Sequence, residues 1–197
     1  MNAAPVFDRV YGGLKQMLRH GAVVPGTKLD PAALSSRLTA SITPVRDALH
    51  RLAGERLVVA TSDGFQAPVL SEPDLRDLYA WNHQLLLVAL RTSSRSRAGF
   101  LPPPPADAHT AEIAEALFSA IARATGNREQ LLAIEALNDR LHPVRRAELG
   151  VLAQVRQELA DMLEADLRTL RSLLGRYHRR RLVAVPETIR ALYRAQS

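Results

Sequence analysis

The sequence predicts a mainly α-helical protein in two parts: three helices and a β-hairpin over residues 1–71, then an all-α bundle over residues 72–197. Three observations carry this. Apolar residues recur at helical spacing along most of the chain, the mark of helices with one buried face. Strand-like runs are confined to two short stretches around Ser62-Asp63-Gly64. Residues 92–108 (TSSRSRAGFLPPPPADA) interrupt the helical pattern, because four consecutive prolines lack amide donors and favour an extended polyproline conformation.

In order, Phe7, Val10, Leu14, Met17 and Leu18 mark one face of a first helix, which Gly21 stops. Val23-Val24-Pro25-Gly26 reads as an extended piece and a turn leading to Lys28-Leu29. Asp30-Pro31 is a helix start, a carboxylate to accept the free amides and a ring whose φ suits the first turn. That second helix is expected to bury Ala33, Leu34 and Leu38 and to end near Thr39. Thr43-Pro44 repeats the signal, and TPVRDALHRLAGERL buries Val45, Ala48, Leu49 and Leu52 while Thr43, Arg46 and His50 share the opposite face. Leu57–Ala60 and Phe65–Val69 flank the Ser62-Asp63-Gly64 turn as a hairpin. Helix, short strand, helix, turn, helix and hairpin make a winged helix-turn-helix.

Such a unit places its second helix-turn-helix helix in the major groove of double-stranded DNA, with the N-terminal side chains at base edges. Ser41 and Thr43 are hydroxyls beside a helix N-terminus that favours phosphate. Arg46 is placed for bidentate bonding to guanine O6 and N7, and His50 one turn on for a base or phosphate. Gly64 lets the wing backbone approach the minor groove, Gln66 is the wing side chain suited to contact, and Lys28 and Arg37 are candidate phosphate contacts. The net charge of +6 is weak support, because the excess divides equally: residues 1–71 hold eight cations and five anions, a net +3. The absence of Cys excludes disulfides, thiolate zinc sites and cysteine nucleophiles. No 18-residue apolar run and no signal-peptide core occur, which points to a cytoplasmic protein with no membrane partner.

The stretch PGTKLDPAALSSRLTASITPVRDALHRLAGERLV resembles the GntR family of bacterial transcription regulators. The resemblance covers roughly residues 7–70 and rests on TPVRDALHRL at 43–52 with correctly spaced PG and DGF turns. It implies a DNA-contact role for Thr43 and Arg46. Ile42 stands where an arginine is common and Ala32 where a polar residue is, which implies fewer phosphate contacts than usual.

After the hairpin, Ser71-Glu72-Pro73-Asp74 starts a helix over LRDLYAWNHQLLLVALR. Further helices are expected at about 108–125, 127–141 (ended or kinked by His142-Pro143), 147–164 and 166–180, with a short last one after Pro186. DLRDLYAWNHQLLLVAL, EALFSAIARATGN and DLRTLRSLLGRYH resemble, in order, the FCD effector-binding domain of the FadR subfamily, here shortened around the proline run. The resemblance implies a homodimer on a palindromic operator and a small-molecule effector. It also implies a metal held by one Asp and three His, but the Asp position falls on Glu115 and the first His position on Ser119. No His lies between His142 and His178, so of the expected imidazoles only His178 remains. No metal and no other cofactor is therefore expected. Trp81, His83, Tyr177 and His178 are the candidate effector-pocket residues. Asn82 and Leu86, where the pattern prefers Arg and Glu, suggest an uncharged effector or a vestigial pocket. Arg179-Arg180-Arg181 reads as a solvated helix end.

An enzyme is not expected, since the chain has no HExxH, no GxSxG and only scattered histidines. A partner-binding module of the same fold with weakened DNA contacts is the competing reading, and Ile42 and Ala32 are what suggest it.

Overall fold

The computed structural model describes residues 3–92, 105 and 107–194. It divides between Leu70 and Ser71 into two units, with Tyr193 and Arg194 grouped with the first. Most of the proline-rich stretch, and so the expected extended conformation there, lies outside the described residues.

The first unit contains α1 (Ala3–Arg19), α2 (Pro31–Arg37), α3 (Ile42–Gly54) and a two-stranded antiparallel hairpin of β1 (Val59–Thr61) and β2 (Gly64–Gln66). Val10 and Leu14 of α1, Leu34 of α2, Val45, Ala48, Leu49 and Leu52 of α3, and Phe65 of β2 form its core. Each fully buried Leu or Val there stabilises the unit by about 1.5–3 kcal/mol relative to exposure.

All three helices end alike. The residue after the cap turns left-handed at Gly21 (φ 70°), Thr39 (φ 48°) and Arg56 (φ 59°), and the next amide reaches back a full turn. Those closing bonds are Ala22 N to Met17 O (3.0 Å), Ala40 N to Ser35 O (3.0 Å) and Leu57 N to Leu52 O (2.9 Å). The first two ends fall where expected, at Gly21 and near Thr39; the turn at Arg56, which has no glycine to mark it, was not legible.

Several boundaries differ from expectation. Ala33 is exposed, because α2 is one short segment whose inner face is filled by Leu34 and Ser35. The third helix starts at Ile42 with Ser41 as its cap, so Pro44 sits in the first turn, where the missing amide has no intrahelical partner to lose. Leu57 and Val58 are buried but lie ahead of the strand, because the chain is still leaving the Arg56 turn.

The second unit is a bundle of α4 (Glu72–Thr92), α5 (Thr110–Arg123), α6 (Arg128–Ala147), α7 (Val155–Glu164), α8 (Leu167–Val183) and most of α9 (Val185–Arg194). Its central member is α5, buried on nearly every side from Thr110 to Ala122. Leu86, Leu117, Phe118, Ile134, Leu159, Met162, Leu170 and Leu174 form the core around it.

Pro143 does not break α6. An interior proline costs about 3 kcal/mol, but Leu141, His142, Val144 and Arg145 are all buried and carry the helix through it. The helix expected over 147–164 is instead a 3-10 turn (Glu148–Gly150) followed by α7, whose preceding residue Gln154 has φ 58°. The cause is Glu148, drawn inside to Tyr79 and Arg181. The last helix begins at Val185, so Pro186 lies in its first turn.

Candidate nucleic-acid interface and buried polar cluster

In α3, burial of Val45, Ala48, Leu49 and Leu52 turns Thr43, Arg46 and His50 to solvent together. Arg46 makes no side-chain hydrogen bond among the described residues, so its guanidinium is free to reach outward. Ser41 caps the helix through its backbone alone, leaving the hydroxyl and the first-turn amides open to an acceptor. Ile42 is 44% exposed in that first turn, an apolar residue on an otherwise polar edge.

The turn ahead of α3 is held from α1. Arg9 donates from Nη1 to Leu38 O (2.6 Å) and from Nη2 to Thr39 O (3.1 Å), satisfying carbonyls that the end of α2 leaves open. Sequence reasoning missed Arg9, because its acceptors are backbone atoms 29 and 30 residues away.

The wing is wider than a hairpin. Leu29 N donates to Phe65 O (2.8 Å), Gly26 N to Ala67 O (2.9 Å) and Ala67 N to Thr27 O (3.0 Å), and Lys28 pairs with Gln66 in an antiparallel bridge. Lys28, Gly64 and Gln66 are thereby brought to one place, with Lys28 Cε 4.0 Å from where a Cβ on Gly64 would stand. Gly64 has φ 122°, a conformation that disfavours other residues. His50 touches the wing: its ring meets Phe65 edge-on at 4.8 Å, 80° between planes. Arg37 is exposed in the last turn of α2.

In the bundle, His83, Tyr177 and His178 lie together. The His83 and His178 rings stack at 4.7 Å, and Tyr177 meets His178 at 5.0 Å. Trp81 is not with them; it is 51% exposed, because α4 turns Tyr79, Asn82 and Leu86 inward and position 81 out. Burial holds the His178 imidazole well below its ordinary range, and burial followed by the Arg179 charge lowers His83. A neutral His178 has one N–H. Nδ1 is 2.8 Å from the Leu174 carbonyl and must donate there, so Nε2, 3.0 Å from the Asn82 amide, accepts. The Asn82 atom 3.0 Å from Nε2 is Oδ1, with Nδ2 left without a partner; an accepting Nε2 calls for the opposite orientation of the amide, Nδ2 toward the ring.

The same interior holds charges that the sequence did not disclose. Arg181, expected on a solvated helix end, is fully buried and bonds Glu148 Oε2 and Glu158 Oε2, each at 2.9 Å. Burial alone would lower its pKa, but Tyr177, Glu148 and Glu158 outweigh burial and raise it. Glu148 also accepts from Tyr79 Oη at 2.7 Å, and burial first, then Glu148, holds that phenol far above its usual range. Arg145 is buried as well, and Glu115 stands 2.7 Å from His142 Nδ1.

Residues 7–64 match the family described as bacterial regulatory proteins, gntR family. The N-terminal domain belongs to the GntR family. Over 152 residues the chain is 30% identical to the HTH-type transcriptional regulator McbR of Escherichia coli K12, a match covering 77% of this chain and 65% of McbR. It is 35% identical over 83 residues to the HTH-type transcriptional repressor GlaR of the same organism, covering 41% of this chain and 38% of GlaR. The matched stretches therefore span less than two thirds of these relatives.

The fold is shared with E. coli McbR/YncC (TM-score 0.67, 22% identity, 92% of this chain and 97% of that one). It is also shared with a GntR regulator structure from Rhodococcus sp. RHA1 (TM-score 0.68, 17% identity, 92% and 97%). Both extend the likeness beyond the GntR domain into the helical unit.

The metal implied by the resemblance of that helical unit does not fit the residues here. Glu115 is engaged by His142 and has Arg145 at 3.9 Å, a cation that would repel a metal ion. Ser119 accepts from Asn138 at 3.1 Å, and Nε2 of His178 is taken by Asn82. Among the described residues no group of three or more His, Asp or Glu is placed to hold a metal.

Proposed function

We propose that the chain is a sequence-specific DNA-binding transcriptional regulator, with residues 1–71 reading DNA and residues 72–197 binding a small effector and dimerising. The observation that carries this is the exposed Thr43-Arg46-His50 face of α3 within a GntR-family domain, flanked by a wing that gathers Lys28, Gly64 and Gln66. Two copies on a palindrome double an interface that is small for one copy and fix the half-site spacing. A repressing sense is in keeping with GlaR, named a transcriptional repressor. A cytoplasmic location suits such a role, and no described helix is long and apolar enough to cross a membrane.

The test is a mobility shift of the full chain with duplex DNA from the promoter of its own gene, repeated across salt concentrations. Tight binding that beats unrelated duplex and weakens steeply with salt is expected. Binding no tighter than to unrelated duplex overturns the reading and favours the partner-binding module, for which the exposed apolar Ile42 is the supporting observation.

A further inference from the structure

Among the described residues of the first unit, Val24, Ile42, Val59 and Val69 are the large apolar side chains left exposed. Val24 and Val69 lie outside the helices and strands and Val59 on β1; Ile42 is the one on a helix. It is the first residue of α3, directly after the Ser41 cap. Core packing does not account for it, because Val45, Ala48, Leu49 and Leu52 already form the buried stripe of that helix. Helix propensity does not ask for it either, since a β-branched residue ranks below Ala, Glu or Lys at an exposed helical position.

The neighbours of Ile42 point to what covers it. Thr43 is next to it, Arg46 lies one turn on along the same row, and His50 follows one turn later, all exposed. Residues four apart on a helix stand about 5–6 Å apart at Cβ, and bases stack at about 3.4 Å per step. A side chain at position 42 therefore reaches a base within about two steps of the one read from position 46. The major groove presents an apolar group at one kind of base, the C5-methyl of thymine. Adenine, guanine and cytosine present donors and acceptors there, which an isoleucine would desolvate without pairing.

We infer that Ile42 is a specificity-determining residue, whose side chain packs on the methyl group of a thymine within two base pairs of the guanine read by Arg46. This rests on the reading of α3 as the DNA-reading helix. The arginine and the isoleucine then read one short step together, the first by hydrogen bonds and the second by shape.

The test takes the shortest duplex from the promoter of its own gene that the full chain binds specifically. Each thymine in turn is replaced by deoxyuridine, which keeps the base pair and removes the methyl alone. Wild type should lose about fourfold in affinity at one thymine per half-site, the worth of one small apolar group buried. That thymine should lie within two base pairs of the G·C pair whose preference Arg46→Ala relaxes. Ile42→Ser should bind the thymine and uracil duplexes equally, with an unchanged salt slope because no phosphate contact is lost. Ile42→Val, which keeps a branched apolar surface, should retain most of the discrimination. Position 42 is exposed, so both variants should keep the wild-type urea midpoint.

If Ile42→Ser binds too weakly to measure, the place of the sensitive thymine and the discrimination left in Ile42→Val decide. Specific binding with no uracil-sensitive thymine, a sensitive thymine remote from the Arg46 pair, or discrimination that survives in Ile42→Ser would each overturn the assignment of Ile42 and leave the regulator in place. Binding no tighter than to unrelated duplex overturns the regulator itself, and the role of Ile42 with it.

Discussion

Arg46 projects from a helix whose opposite face is packed, and it makes no side-chain hydrogen bond among the described residues. Arg46→Ala should therefore leave stability within about 0.5 kcal/mol while costing about 1–3 kcal/mol of operator affinity and relaxing preference at one base pair. Mobility shifts on a panel of single-base operator variants read both effects; an unchanged specificity profile would remove Arg46 from the reading surface. Arg181 predicts the opposite behaviour. Arg181→Leu strands Glu148 and Glu158 in the interior and should cost about 3–5 kcal/mol in urea unfolding, with no direct effect on DNA contacts. The two residues also differ in how they could be read beforehand. Arg46 was legible because a capped helix with a regular apolar face fixes which way the residue after Val45 points. Arg181 ends a run of three arginines, of which Arg179 is exposed and Arg181 buried; only the helical phase separates them. Its carboxylate partners lie 33 and 23 residues away, beyond any local pattern.

Elements were legible where a local signal made them and obscure where a distant contact did. Asp30 accepts from Ala32 N (3.1 Å) and Ala33 N (3.3 Å), so α2 begins where the Asp-Pro pair says. By contrast, α6 runs through Pro143 and the next helix is delayed to Val155, both because of residues drawn into the bundle interior. The turn between α2 and α3 yields a prediction of its own. Thr39 is a β-branched residue at φ 48°, a strained conformation, stabilised by the closing Ala40 bond and by Arg9. Thr39→Gly should stabilise the N-terminal unit by about 1 kcal/mol, read as a higher urea midpoint. Arg9→Ala should lower that midpoint and weaken operator binding together, because α3 loses the tie that fixes its start. On the same helix, a Cβ on Gly13 would come within 3.2 Å of Leu38 Cδ2, so this glycine marks the close approach of α1 to the end of α2.

At the scale of the whole molecule, charge buried in the bundle sets the response to acid. Burial holds the His178 imidazole well below its reference value of 6.5, and burial and Arg179 depress its stacked neighbour His83. An unfolded chain takes up these protons near pH 6.5 while the native chain refuses them. The stability due to the neutral rings is thus complete above that pH and declines as pH falls from 6.5 toward the lower native values. Urea unfolding at pH 7.5, 6.5 and 5.5 should show the loss below 6.5, up to about 1.4 kcal/mol per pH unit for His178. His178→Asn should flatten that part of the profile; a wild-type profile flat across this window would contradict the placement of the ring.

The edge contact between His50 and Phe65 has a consequence for how such a regulator acquires a new target. A substitution at position 50 meant to change what α3 recognises also removes a support from the strand that carries the wing. If α3 and the wing both meet DNA as proposed, altered preference in the major groove should arrive with a displaced wing, and successive changes at 50 and 65 should succeed in pairs where either alone fails.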